Sequence, residues 1–79
     1  MIKTHYLKTW PEFFQATKMR KKAFELRIND REYEVGDTIV LQEYTLKDGY
    51  TGNELYREIT YILAEVPFVS TGYVCMSVI

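Results

Sequence analysis

A chain of 79 residues with one cysteine and one histidine has no staple to hold it together. Cys75 has no second cysteine to pair with, and His5 belongs to no Cys/His cluster at metal-ligand spacing. Domains this small bury a limited core and are marginal without such help. Folding must therefore rest on hydrophobic burial. The residues for it are present: 47% are hydrophobic and 15% aromatic, including seven tyrosines and four phenylalanines. That content argues against disorder, and the length predicts one domain over residues 1–79. Cys75 reads as a packing residue of an apolar strand in a reducing compartment. The start MIKTHYLKTW lacks the apolar run of a secretory signal, and no stretch is long enough for a membrane span, so a cytoplasmic protein is expected.

The hydrophobic period changes along the chain. IKTHYL predicts a first strand, with His5 bonded to backbone. Thr9 and Glu12 match a capping box around Trp10 and Pro11, and Trp10, Phe13, Phe14 and Thr17 recur at helical spacing. A helix packed through those aromatics is expected to end near Met19 or Arg20. AFELRI then alternates with period two, placing Phe24, Leu26 and Ile28 on one face and Glu25 and Arg27 on the other. The apolar face is expected in the core and the charged face on a concave surface. NDREYEVGD reads as turns and TIVLQEYT as a β-branched strand. LKDGYTGN reads as a hairpin tipped by Asp48-Gly49, ELYREITYILAE as a long strand, VPFVSTG as a loop, and YVCMSVI as a closing strand. The order is β-α-β-β-β-β, a mostly β (α+β) fold of about five strands with one helix in the N-terminal half. In so short a chain a small barrel plugged by the helix is expected, because closure removes exposed sheet edges.

The net charge of −1 is unevenly spread. Lys18 to Arg31 holds six basic and two acidic residues, +4, and the rest of the chain carries −5. Such a patch steers a polyanion to one face, although a solvated charge run has the same composition. Within it, Glu25 and Arg27 project from the same side of a strand beside Lys21 and Lys22. Arg27 can fork onto a phosphate or base edge. Glu25 can accept from a base amino group or orient a neighbouring cation, and a plain surface ion pair fits the same pattern. Nucleotide-binding glycine loops, Walker loops and nucleophile elbows are missing from the sequence, and no cofactor or metal site is expected. Tyr44, Tyr50, Tyr56, Tyr61 and Tyr73 read as sheet wall or surface, with stacking on bases as the alternative.

These segments, in this order, resemble a small ASCH-type (activating signal cointegrator homology), PUA-like family of bacterial and phage proteins regarded as RNA-binding domains. The likeness lies in HYLKTWPEFF, KKAFELR, NDREYEVGD, LQEY, GYTG, ITYIL and GYVCMSVI. The superfamily signature resembles G-x-K-x-x-E-x-R followed by V-G-D; Lys22, Glu25 and Arg27 match its charged positions, and Val35, Gly36 and Asp37 the later turn. Arg20 stands at its glycine, and Ile28 where a lysine is common. The resemblance implies a PUA-like pseudobarrel with an RNA-binding cleft between barrel and helix. Some ASCH relatives are amidohydrolases on acetylated cytidine; they resemble this chain at Lys22 but carry threonine where Glu25 stands.

The expected function is binding of single-stranded or modified RNA, or a nucleotide-like ligand, by Lys21, Lys22, Glu25, Arg27 and Arg31, with Trp10 or Tyr44 stacking. No catalytic residue is assigned under that reading. The alternatives are a small amidohydrolase on an acylated nucleoside, with Lys22 and Glu25 in acid–base roles, and a protein–protein adaptor using the same cleft.

Overall fold

The computed structural model describes residues 2–79. The elements follow the expected order: β1 (Thr4–Thr9), α1 (Pro11–Lys18), β2 (Phe24–Ile28), β3 (Thr38–Thr45), β4 (Gly49–Leu63) and β5 (Tyr73–Val78). They form one five-stranded mixed sheet in the order β1-β3-β4-β5-β2. Only β1 and β3 are parallel. The long strand β4 pairs β3 through its first part and β5 through its last, with a register shift between Ile59 and Tyr61. The fold is thus mostly β with one short helix.

Leu7, Ile39, Leu41, Ile59, Val74, Met76 and Val78 form the core, joined by Tyr33 and by Phe14 from α1, which packs on β3. Burying Phe14 contributes about 2–3 kcal/mol. Of the expected aromatic stripe only Phe14 and Thr17 are buried, while Trp10 and Phe13 are 44% and 45% exposed. A helix of eight residues presents a narrow stripe, and residue 13 lies about 100° round from residue 14.

Thr9 does not cap the helix. Trp10 occupies the N-cap in extended backbone conformation without a side-chain cap bond, and Pro11 is the first helical residue. Proline forces the residue before it out of the helical region, so the helix cannot begin earlier. Thr9 instead ends β1, buried, its hydroxyl donating to the Leu7 carbonyl at 3.1 Å.

The faces of β2 are the reverse of those expected. Glu25 is 2% exposed, whereas Phe24, Leu26 and Ile28 are about half exposed, at 48–58%. The antiparallel ladder sets Glu25 opposite Met76 and Arg27 opposite Val74, both core residues, and Leu26 opposite the half-buried Cys75. Alternation tells which residues share a face, and the register decides which face turns inward.

His5 is likewise buried, but its partner is a carboxylate rather than backbone: Nε2 lies 2.8 Å from Asp37 Oδ2. Gly36, with φ of 97°, makes the turn that brings Asp37 inward. Asp37 also accepts from the backbone N–H of Lys3 and of Glu34, each at 3.0 Å. Burial pushes its carboxyl up, but the bonds from His5, Lys3 and Glu34 and the His5 charge outweigh this and hold it below its ordinary value.

Candidate functional site

The site starts at the end of α1. After the C-cap Met19, Arg20 takes a left-handed conformation with φ of 60°. Its N–H bonds the Thr17 carbonyl, and the N–H of Lys21 bonds the Ala16 carbonyl, the pattern of a Schellman motif. This turn reverses the chain and delivers Lys22 to the start of β2.

Lys22, Glu25 and Arg27 then form one cluster. Glu25 accepts from Lys22 Nζ at 2.6 Å through Oε2 and from Arg27 Nε at 3.0 Å through Oε1. Lys22 Nζ also donates to the Phe24 carbonyl at 2.7 Å and lies 4.9 Å from the Phe24 ring centre. A buried carboxylate is tolerated because two cations satisfy it, and each cation stays partly exposed. Arg27 reaches further. Its guanidinium donates to the Lys8 carbonyl at 3.1 Å and to the Thr9 hydroxyl at 3.3 Å. The two edge strands of the sheet, β1 and β2, therefore face each other across a seam that Arg27 bridges by side chain.

Over this cluster opens a cavity of about 440 Å³. Trp10, Phe13 and Phe24 give it aromatic walls, and Lys8, Lys22 and Arg27 bring three positive charges against the single negative charge of Glu25. The structure thus gathers Trp10, Lys22, Glu25 and Arg27 of the sequence-predicted site. Lys21 is exposed and outside the lining, and Arg31 lines an adjoining cavity. Tyr44 stands behind the rim, its ring 5.8 Å from Trp10 and 5.0 Å from Tyr50, with Lys8 Nζ 4.2 Å above it. Lys8, Phe13 and Phe24 escaped the sequence reading as cavity residues. Lys8 lies outside the basic window, and the seam that recruits it depends on contacts between residues far apart in sequence.

A second polar group sits where β3 shifts register between Gln42 and Tyr44. Glu43, buried there, accepts from Asn53 at 3.0 Å and Thr51 at 2.9 Å. Those bonds and the Lys18 charge hold its carboxyl below the ordinary value despite burial. Both partners lie on β4, so Glu43 ties β3 to β4 at the register shift. Among the described residues no group of three or more His, Cys, Asp or Glu side chains is placed to hold a metal ion, and no helix is long and apolar enough to cross a membrane.

What these features define is a small α+β domain with a cationic, aromatic-walled cavity at an open sheet seam. The family described as "Domain of unknown function (DUF3850)" matches residues 4–78, and the chain belongs to that family. It is also similar to an uncharacterized 12.9 kDa protein in the GpA 3′ region of Escherichia phage P2, with 37% identity over 60 residues. That alignment covers 76% of this chain and 54% of the relative, so the chain spans about half the length of the curated relative it matches.

Proposed function

We propose that this protein is a cytoplasmic nucleic-acid-binding module that takes single-stranded or modified RNA, or a nucleotide-like ligand, into the cavity at the β1–β2 seam. In this reading the curled sheet is a PUA-like pseudobarrel of the ASCH type and the seam is its cleft. One observation carries the proposal: Lys22, Glu25 and Arg27 lie locked together at a cavity walled by Trp10, Phe13 and Phe24. Nucleotides combine a flat π-surface with an anionic phosphate, and aromatic walls with adjacent cations suit both parts.

Glu25 acts on the ligand through its neighbours. Both its oxygens are engaged, so it orients the Lys22 and Arg27 cations, which meet phosphate together with Lys8. Trp10 and Phe13 are exposed enough to stack a base. Arg20, Lys21 and Arg31, outside this cavity, supply longer-range attraction.

The test is fluorescence anisotropy of short labelled RNAs at low salt. Wild type binds, Lys8→Ala binds more weakly, and Lys47→Ala, in the β3–β4 turn, matches wild type. Absence of binding by wild type at low salt removes the proposal. Hydrolysis of an acylated cytidine that is abolished by Lys22→Ala would replace it with the amidohydrolase reading.

A further inference from the structure

Arg27 and Leu26 line two cavities. Besides the aromatic one, they border a second of about 330 Å³ whose other walls include Arg31, Tyr33 and Tyr73. Its chemistry resembles that of the first, two cations (Arg27 and Arg31) beside aromatic rings with one carboxylate, Asp30, in the lining. Arg31 is half exposed, and its approach to Asp30 is 3.8 Å, too long for a hydrogen bond, so its guanidinium is available. The Tyr73 ring is 42% exposed. Burial pushes the Tyr33 phenol up, and the charges of Arg31 and Arg27 oppose this.

The backbone connects the two cavities. Val78 N–H bonds the Ala23 carbonyl at one end of the β2–β5 ladder, and Asn29 N–H bonds the Gly72 carbonyl at the other. Both fix the same phase, in which Glu25 and Arg27 exchange bonds with β5 and Phe24, Leu26 and Ile28 turn their N–H and C=O groups to the seam. The Phe24 carbonyl is taken by Lys22 and the Ile28 carbonyl by Asp30 N–H. Leu26 alone directs both backbone groups into the seam, between the cavities. A single residue is too short to template an added peptide strand, but its adjacent donor and acceptor match the edge of a base.

We infer that the ligand is a single strand of two or more consecutive nucleotides running along the unpaired edge of β2. One nucleotide occupies the aromatic cavity, the next lies against Arg31 and Tyr73, and the linking phosphate sits at Arg27. This rests on the RNA-binding reading above and adds the length and path of the ligand.

Calorimetric titration with the four nucleoside 5′-monophosphates and the four homodinucleotides ApA, CpC, GpG and UpU tests it. The best dinucleotide binds about tenfold tighter than its monophosphate, the gain of one further stacked base. Arg31→Ala and Tyr73→Ala each lower dinucleotide affinity more than monophosphate affinity and so remove most of that gain; Arg31, an exposed loop residue, serves should the Tyr73 variant unfold. Equal affinities for monophosphate and dinucleotide, or an Arg31→Ala loss that is the same for both, overturn the two-nucleotide path while leaving the first cavity as a nucleotide site. Binding of neither probe overturns both readings, as does binding of an extended peptide in their place.

Discussion

Arg20 shows how a single backbone conformation shapes this site. A left-handed residue must follow α1 for the chain to reverse into β2, and glycine adopts that conformation without the steric cost of a Cβ. Arg20→Gly is therefore expected to stabilise the fold by about 0.5–1 kcal/mol, the relief of strain offset in part by the greater freedom of glycine when unfolded. Urea denaturation reads this as a higher midpoint with unchanged slope. Asp37 works in a different way. Its folded carboxyl titrates below its ordinary value of 3.8, so its stabilising contribution is fully present above that pH and is lost as pH falls through the folded value. Asp37→Asn should cost about 2 kcal/mol at neutral pH and should flatten the acid limb of the stability curve below about pH 4. An acid limb as steep as that of wild type would mean that other carboxylates drive acid unfolding.

At the scale of elements, local pattern was readable and orientation was not. The β3 and β5 strands, the end of the helix, the hairpin tip at Asp48-Gly49 and the grouping of Glu25 with Arg27 follow from period and turn chemistry, whereas β1 runs two residues later than IKTHYL and β4 begins at Gly49, inside the segment that reads as turn. The inward face of β2 does not, because pairing with Met76 and Val74 of β5 decides it and a buried salt bridge makes it tolerable. The helix start was legible in Pro11, whose constraint on Trp10 outweighs the capping-box match at Thr9. The reversal of β2 has a direct consequence. Leu26→Thr should change stability by no more than about 0.5 kcal/mol, as an exposed substitution does, whereas Phe14→Ala should cost about 3–4 kcal/mol. A Leu26→Thr cost approaching that of Phe14→Ala would place Leu26 in the core and reverse the assignment of faces.

Across the whole molecule, a formal charge of −1 conceals a cationic seam. The window from Lys18 to Arg31 pointed to it, but its working members are drawn together by the fold: Lys22 and Arg27 from the window, Lys8 from β1, and aromatic walls from the helix start and β2. Lys21, central to the patch in sequence, stays outside. The most direct measurement of the proposed function is thus the salt dependence of RNA affinity. With Lys8, Lys22 and Arg27 each meeting a phosphate, log affinity against log salt should fall with a slope of about −2 for a single strand, and Lys8→Ala should bring it to about −1.4. A slope near zero, or one that Lys8→Ala leaves unchanged, would contradict the account.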